Sequence, residues 1–258
     1  MTDFKGRFVW YELITTDTAG AKAFYSSVVG WMAEDVPMPG MTYTLMKAKD
    51  RQVAGVMLIP AEAKAMGAPP SWTGYVAVDD VDASADQVKR LGGAVHHGPM
   101  DIPGVGRFAI AADPQGAVIA LFKPLPSDAA EGPADRGTPG HVGWHELFTS
   151  DLEAGFAFYR EMFGWRKDEA IPMGDMGAYQ LFANGDQVLG GMMRRPPQAP
   201  VSAWNYYFQV GDIDAAASRV KAAGGQVLNG PMEVPGGDWV LQGQDPQGAM
   251  FALVGRKG

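Results

Sequence analysis

The amino-acid sequence repeats itself, and this internal repeat constrains the fold more than any other feature. The segment Trp10-Tyr-Glu-Leu13 recurs 134 residues later as Trp144-His-Glu-Leu147, and Asp113-Pro-Gln-Gly-Ala117 recurs 132 residues later as Asp245-Pro-Gln-Gly-Ala249. A register that drifts by only two residues over this span predicts two homologous domains that differ by small loop changes.

The repeat also fixes the predicted domain boundaries. We predict a first domain over residues 1–124 and a second over residues 141–258. The linker, residues 125–140, is rich in Pro, Ala, Gly and Asp and offers few core residues. Other repeated pairs are Asp17 and Asp151, Tyr25 and Tyr159, Gly30 and Gly164, Trp31 and Trp165, Trp72 and Trp204, and Asp80 and Asp212.

Each half divides again into two modules in which a strand, a helix and three strands follow one another. In the first module, Asp17 or Thr18 can cap a helix whose apolar residues recur at helical spacing, and Gly30 ends it. We predict an α+β fold of four βαβββ modules, near residues 8–60, 72–123, 141–194 and 204–255. Helices then cover one face of each sheet, and the other face is left to line a cleft.

Composition excludes several classes of function. The chain has 258 residues, a formal charge of -8, no cysteine, and no basic run longer than Arg194-Arg195. We therefore expect no nucleic-acid partner, no disulfide, no thiolate nucleophile and no Cys-based metal site. No apolar run approaches the roughly 18 residues of a membrane span, so we expect a soluble, cytoplasmic protein with no membrane partner.

Taken together, these residues resemble the vicinal oxygen chelate superfamily, which includes glyoxalases, bleomycin resistance proteins and extradiol dioxygenases. The resemblance covers nearly the whole chain. It rests on the Asp and Phe-Tyr helices that end in Gly30-Trp31 and Gly164-Trp165, on the Asp-containing entries to the second helices, and on both Asp-Pro-Gln-Gly turns. It implies two homologous glyoxalase-like domains with curved mixed sheets around clefts.

The resemblance also implies where metal ligands belong in this chain. The implied positions are Trp10 and Trp144 in the first strands, Thr73 and Asn205 in the fifth strands, and Ala120 and Ala252 in the last strands. None of these is a histidine or a carboxylate, and a catalytic divalent ion needs two or three such ligands. The four histidines form no motif. We therefore predict no metal and no other cofactor.

Two carboxylates are the candidate catalytic residues. If Leu13 and Leu147 face the helices, alternation along the strand directs Glu12 and Glu146 toward the cleft. We expect the pKa of a carboxylate beside a tryptophan in an apolar strand to rise toward the range that suits general acid or base catalysis. The alternative is structural: each Glu accepts hydrogen bonds across the pseudo-symmetric junction of modules.

Aromatic residues are the main candidates for ligand binding. The predicted ligand-binding residues are Trp10, Tyr43, Trp72, Arg107, Trp144, Tyr179, Trp204 and Trp239. Trp239 occupies the position of Arg107, so a guanidinium in one domain and a stacking surface in the other predict two non-equivalent pockets. The alternative is that the tryptophans fill the ends of the sheets and the junctions between modules.

Three hypotheses about function follow. The first is a metal-independent binding protein of the bleomycin-resistance type, which holds an aromatic or amphipathic small molecule. The second is a glyoxalase-like lyase or isomerase in which Glu12 or Glu146 moves a proton and Arg107 stabilises an enolate or carboxylate, without metal or with one bound at unpredicted positions. The third is a scaffold or dimerisation surface. The sequence leaves open the ligand, catalysis, the pairing of modules, and whether the chain is a monomer or a homodimer.

Overall fold

A computed structural model describes residues 4–38, 41–126, 134–197 and 199–258. Residues 127–133 of the predicted linker lie outside the described residues. No helix in the described part of the chain is long and apolar enough to cross a membrane.

The first half contains two βαβββ modules, as predicted. Module 1 consists of β1 (Phe8–Thr15), α1 (Thr18–Val29), β2 (Met32–Met38), β3 (Met41–Ala48) and β4 (Arg51–Leu58). A short helix, α2 (Ala61–Ala65), follows. Module 2 consists of β5 (Ser71–Ala77), α3 (Val81–Arg90), β6 (Ala94–Ile102), β7 (Gly106–Ala112) and β8 (Val118–Pro124).

The second half repeats this order. Module 3 consists of β9 (Val142–Thr149), α4 (Leu152–Phe163), β10 (Arg166–Pro172), β11 (Ala178–Asn184) and β12 (Gln187–Arg194). Module 4 consists of β13 (Ala203–Asp212), α5 (Ile213–Ala222), β14 (Gln226–Glu233), β15 (Trp239–Gln244) and β16 (Met250–Arg256). A single 3-10 turn, Gly174–Met176, separates β10 from β11.

Aspartates begin the four long helices. Asp17, Asp80, Asp151 and Asp212 each accept a hydrogen bond from a backbone N–H of the first helical turn, which otherwise has no partner. Gly30, with φ 88°, ends α1 in the left-handed conformation that glycine adopts at little cost. Of the two predicted caps, Asp17 and Thr18, the structure shows Asp17, and the predicted helix end at Gly30 is confirmed.

The strands form two eight-stranded mixed sheets, one in each half of the chain. Their strand orders are β2-β3-β4-β1-β5-β8-β7-β6 and β10-β11-β12-β9-β13-β16-β15-β14. In every module the first and last strands pair in parallel and the remaining pairs are antiparallel. The predicted α+β architecture of four βαβββ modules is confirmed.

The chain folds into two compact units that do not follow its two halves. Unit 1 comprises Met1–Trp10, Thr73–Pro133 and His145–Trp204. Unit 2 comprises Tyr11–Trp72, Ala134–Trp144 and Asn205–Gly258. Most of modules 2 and 3 thus belongs to unit 1, and most of modules 1 and 4 belongs to unit 2. The boundaries cut the first strand of each module, so that Trp72 of β5 and Trp144 of β9 lie in unit 2, and Trp10 of β1 and Trp204 of β13 lie in unit 1.

A buried tyrosine cluster joins the two modules of unit 2. The Tyr25 hydroxyl of α1 donates to Asp245 Oδ2 at 3.0 Å, and Trp72 Nε1 donates to the same hydroxyl oxygen at 2.8 Å. Asp245 Oδ1 accepts from the backbone of the Asp-Pro-Gln-Gly turn at Gln247 and Ala249. Burial raises the pKa of Asp245 and raises that of Tyr25 well above its usual value. The turn therefore presents a carboxylate that another module's helix binds.

An equivalent buried tyrosine cluster joins the modules of unit 1. The Tyr159 hydroxyl donates to Asp113 Oδ2 at 3.0 Å, and Trp204 Nε1 donates to that hydroxyl oxygen at 2.9 Å. Burial raises the pKa of Asp113 as well. In both clusters the buried tyrosine, tryptophan and aspartate satisfy one another's hydrogen bonds, which burial of polar groups requires.

Candidate functional site

The candidate site is built on the inner face of each module, by which we mean the side of its four strands that faces away from its helix. In module 1, Leu13 is fully buried and Glu12, the next residue along β1, is half-buried on the other face. Glu12 lies in register with Gly55 of β4, and Gly55 lies in register with Leu45 of β3. These three residues form one cross-strand row.

The Tyr43 side chain lies over Gly55 and reaches across β4 to Glu12. The Tyr43 hydroxyl donates to Glu12 Oε2 at 2.9 Å. A Cβ atom built on Gly55 lies 1.7 Å from Tyr43 Oη, so any other residue at this position displaces the ring. The missing side chain of Gly55 is what allows the Tyr43 hydroxyl to reach the carboxylate.

Module 3, in unit 1, repeats the row. Glu146 lies in register with Gly191, and Gly191 with Leu181. A Cβ atom on Gly191 lies 2.2 Å from the Tyr179 ring, so this tyrosine also lies across a strand at a glycine. Glu146 is only 6% exposed. Each unit thus contains a Glu-Gly-Leu row and a tyrosine, two residues before the leucine, that lies across the glycine.

The inner face of module 4, in unit 2, adds polar and aromatic groups. Gln242 Nε2 donates to the Tyr207 hydroxyl at 2.8 Å, across Ala252, which lies in register with both residues. The predicted ligand-binding residue Trp144 packs against the buried cluster of Tyr207, Ala252 and Val254. The Arg136 guanidinium lies 4.6 Å from the centre of the Trp144 ring.

Of the other predicted ligand-binding tryptophans, two lie in the buried cores. Trp72 and Trp204 are each 7% exposed, and each donates its indole N–H to a buried tyrosine. Trp10 is half-buried in β1. The placement of Trp72 and Trp204 favours the alternative role, in which strand-start tryptophans fill the junctions between modules.

Arg107 and Trp239 occupy equivalent strand positions outside the inner-face rows. Arg107 Nε and Nη2 donate to both oxygens of Asp82 in α3 at 2.7 and 2.9 Å, and Nη1 donates to Asp101 at 2.9 Å. These hydrogen bonds lower the pKa of Asp82. The Trp239 ring has the Lys257 ammonium 4.2 Å from its centre. The contacts of Arg107 with the helix side do not favour its predicted role in binding an anionic ligand.

His145 lies in the core of unit 1. Its ring stacks on Phe8 at 4.0 Å between centres, and Nδ1 lies 2.7 Å from the Leu189 carbonyl oxygen. Burial lowers its pKa to about 4, against the hydrogen bond to Leu189 and with a smaller effect from Arg7. The neutral ring serves as a packed aromatic residue.

The described residues at the implied ligand positions do not offer the donor set of a divalent metal site. At the implied ligand positions, Ala120 and Ala252 lie in the middle of their cross-strand rows, and their methyl side chains offer no donor atom. Within the described ranges, no three His, Asp or Glu side chains come together as a metal site requires. Hard or borderline cations need several such donors at once.

A separate surface cavity of about 550 Å³ lies along helix α4 in unit 1. Its lining includes Phe156, Arg160 and Lys167, and the Lys167 ammonium is paired with Glu153 at 2.7 Å. Because this cavity lies on the helix side and its lysine is paired, it does not replace the inner faces as the candidate site.

Four βαβββ modules in two mixed sheets define a known class of proteins. A family model described as the Glyoxalase/Bleomycin resistance protein/Dioxygenase superfamily matches residues 7–121 and again residues 138–253. The chain belongs to this superfamily, and its two eight-stranded sheets form two glyoxalase-like domains.

The chain is also similar to individual curated proteins over nearly its whole length. It is 35% identical to "Putative glyoxylase CFP32" of Mycobacterium tuberculosis, a match that covers 95% of this chain and 93% of the relative. It is 33% identical to "Anthracycline biosynthesis protein DnrV" of Streptomyces peucetius, covering 98% and 95%.

Solved structures share the fold at lower identity. The 2,3-dioxygenase LapB from Pseudomonas sp. KL28 matches with a TM-score of 0.66 and 14% identity, covering 99% of this chain and 94% of that chain. The Mn(II)-bound glyoxalase from Novosphingobium aromaticivorans matches with a TM-score of 0.63 and 18% identity, covering 99% and 83%. Because a fold does not determine chemistry, these two matches are informative about architecture alone.

Several site residues were missed by sequence reasoning. Gly55 and Gly191 look like ordinary strand glycines, although a glycine inside a strand can signal a close approach of another group. Tyr207 and Gln242 lie 35 residues apart, and only the pairing of β13, β16 and β15 brings them together.

Proposed function

We propose that this protein binds small aromatic or amphipathic organic molecules on its inner faces, without a metal ion. One observation carries the proposal: none of the positions where the resemblance implies metal ligands is a histidine or a carboxylate, and the inner faces around them carry tyrosine, tryptophan and neutral amide groups beside one glutamate in each unit. In unit 2 these are Tyr43 above Gly55, and Tyr207 with Gln242 beside Trp144. Aromatic rings with polar edges suit a ligand that has a flat apolar body and a few polar atoms.

The names of two relatives support the same class of ligand. DauV and DnrV are both named anthracycline biosynthesis proteins. An anthracycline contains a flat anthraquinone with polar oxygen atoms at its edges. We infer that a planar aromatic molecule suits this chain too.

The test is titration of the full-length protein with 2-naphthol, followed by calorimetry in buffer with excess EDTA. We expect saturable binding that is unchanged by EDTA and weakened about tenfold or more by Tyr43→Ala and Tyr179→Ala, because each removes a ring from an inner face. Arg107→Gln is the matched control and leaves the affinity unchanged, since Arg107 bonds to Asp82 and Asp101. Binding that appears only after Mn²⁺ or Zn²⁺ is added would contradict the proposal.

The Tyr43–Glu12 hydrogen bond favours a second candidate function. A tyrosine hydroxyl that donates to a carboxylate on an inner face gives the pair a proton to exchange with a bound molecule. We propose, as the alternative, a glyoxalase-like lyase or isomerase in which Glu12 or Glu146 is the acid or base. The substrate to test is the hemithioacetal of methylglyoxal and glutathione, with and without EDTA. Turnover that survives Glu12→Gln combined with Glu146→Gln would exclude these bases.

A further inference from the structure

The surface cavity along α4 in unit 1 collects positive charge on a chain that is acidic as a whole. Arg160 comes from the last turn of α4, and Arg166 and Lys167 begin β10, the edge strand of the second sheet. Glu153 also lines the cavity, so its described lining carries three positive charges and one negative charge. The whole chain has a formal charge of -8. A concave surface with this local charge attracts anions from solution.

Module 1 builds the same helix end without these charges. Helices α1 and α4 both end at a left-handed glycine that is followed by a buried tryptophan. At the repeat offset of 134 residues, the three cations of the cavity correspond to neutral residues of module 1, namely Ser26, Met32 and Ala33. Helix α1 has no basic residue in its last turn, so a cation is not required to end this helix. The positive charges are therefore a property of module 3 and not a requirement of the fold.

The two arginines are held in place and still have unused N–H donors. Arg166 Nε donates to the Gly185 carbonyl oxygen at 2.9 Å, and its Nη1 donates to Asp168 Oδ2 at 2.9 Å and to the Lys167 carbonyl oxygen at 3.5 Å. Arg160 Nε and Nη2 donate to Glu161 Oε1 at 3.3 and 3.0 Å. A guanidinium has five N–H donors. Among the residues that the structure describes, Arg166 Nη2 and Arg160 Nη1 have no hydrogen-bond acceptor.

The ion pairs around the cavity are open to water. The side chains of Arg160 and Arg166 are 58% and 50% exposed. The Lys167 ammonium pairs with both oxygens of Glu153, an exposed side chain. Exposed ion pairs contribute little to stability, because water screens them and ordering two long side chains costs entropy. An anionic ligand therefore competes with these carboxylates at a small cost.

We propose that this cavity is a second binding site, separate from the inner faces, for a small organic molecule that carries a phosphate group. The planar guanidinium fork matches the oxygen atoms of a phosphate. Three cations favour a doubly charged phosphate over a singly charged carboxylate. The volume of about 550 Å³ is in the range of small-molecule sites and leaves room for an organic body beside the phosphate.

The experiment compares phenyl phosphate with benzoate, which have the same ring and differ in the charge and number of oxygen atoms of the anion. Calorimetry uses the full-length protein in a low-salt buffer without phosphate, above neutral pH, where phenyl phosphate is doubly charged. We expect one phenyl phosphate site, with an affinity about tenfold higher than that for benzoate. Arg166→Gln combined with Lys167→Gln weakens phenyl phosphate binding about tenfold or more. Unchanged binding by this double variant overturns the proposal.

Two further variants test whether the neighbouring carboxylates compete with the ligand. Glu161→Gln and Asp168→Asn each remove the carboxylate partner of a cavity arginine, and each is expected to raise phenyl phosphate affinity about threefold. These increases do not depend on how well the double variant folds, which circular dichroism verifies. If both variants weaken binding, the arginines do not hold the phosphate.

Matched controls come from module 1. Lys22→Gln removes a paired lysine from α1, and Glu34→Gln removes a paired carboxylate from β2, so they repeat the two kinds of charge change outside the cavity. Both leave phenyl phosphate affinity within about twofold, because distant exposed charges are screened. A control with the full effect of its counterpart would show that net charge alone governs binding and would overturn the proposal.

Competition distinguishes this site from the inner faces. A saturating concentration of 2-naphthol is expected to leave phenyl phosphate binding unchanged. Displacement by 2-naphthol would assign the phosphate to an inner face, which overturns this inference while binding of aromatic molecules stands. If 2-naphthol does not bind, the proposed function fails, and phenyl phosphate still tests the cavity by itself. Binding to vesicles that contain phosphatidic acid, without binding of phenyl phosphate, would assign the cavity to a membrane headgroup and overturn the inference, as would no binding of either.

Discussion

Unit 1 and unit 2 differ least where their modules are joined and most along the inner-face rows of modules 2 and 4. Asp113 and Asp245 each bind a tyrosine from another module at 3.0 Å, with a tryptophan N–H completing both clusters. Along the rows, by contrast, Gln242 stands where Ile110 does. Replacing any one residue of a buried polar cluster leaves the others without a hydrogen-bond partner. A half-buried row position, by contrast, accepts side chains of different chemistry.

The same contrast holds at the first strand of each half. His145 in unit 1 corresponds to Tyr11 in unit 2, and both rings pack against aromatic partners, Phe8 and Tyr206 respectively. Unit 1 thus carries a buried imidazole, with its pKa lowered to about 4, at a position where unit 2 carries a phenol. The two units are therefore expected to respond differently to pH.

The largest expected change in unfolding free energy comes from substitutions that test whether the two buried tyrosine clusters are equivalent. Tyr25→Phe and Tyr159→Phe each leave a buried tryptophan N–H and a buried carboxylate without one partner. We expect each to lower the free energy of unfolding by about 4 kcal/mol. Urea denaturation followed by tryptophan fluorescence measures this loss.

A double-mutant cycle controls for unrelated damage to the core. Tyr25→Phe combined with Trp72→Phe is expected to cost clearly less than the sum of the single changes, since both remove the same hydrogen bond. If Tyr25→Phe were harmless and Tyr159→Phe severe, the clusters would not be equivalent.

The second prediction uses pH to distinguish the units. His145 has a pKa of about 4 in the folded protein against 6.5 ordinarily, so between these values the unfolded state binds a proton that the folded state does not. Above pH 6.5 His145 is neutral in both the folded and the unfolded state, so its ionisation does not change the stability there. As the pH falls from 6.5 to 4, unit 1 loses about 3 kcal/mol of stability.

The measurement is urea denaturation at a series of pH values, with His145→Phe as the control. The raised pKa values of Asp113 and Asp245 act in the opposite direction in both units, so the His145 contribution is read from the difference between wild type and variant. A pH dependence that is the same in both proteins would refute the assignment.

The smallest effect concerns the glycines beneath the inner-face tyrosines. Gly55→Ala inserts a Cβ atom 1.7 Å from the Tyr43 hydroxyl oxygen, and Gly191→Ala inserts one 2.2 Å from the Tyr179 ring, so both tyrosines must move. We expect a loss of about 2 kcal/mol for each, as is typical of overpacking. Thermal and urea unfolding both report it.

Gly211→Ala is the matched control, because a Cβ atom there meets nothing within 4 Å. Its unfolding free energy should be close to that of the unchanged protein. If Gly55→Ala behaved like Gly211→Ala, the Tyr43 ring would not be confined against β4, and the Tyr43–Glu12 contact would lose its structural basis.

Much of the fold could be predicted from local sequence patterns. The aspartate caps, the helix end at Gly30, the order of strands and helix along each module and the alternation that separates Leu13 from Glu12 all depend on residues a few positions apart. The candidate site was only partly accessible in this way. Tyr43 and Trp144 are on or against inner faces, but Trp72 and Trp204 are in the cores, because a strand-start tryptophan has no local feature that specifies which face it joins.

The sequence by itself determined the four modules, their order and their repetition, because the periods of helices and strands and the capping residues act within a few residues. Tertiary structure alone decided which modules share a compact unit and which side chains meet. Tyr25 and Asp245 are 220 positions apart. Their hydrogen bond is stable only because packing removes both groups from water together, and no local pattern records that partnership.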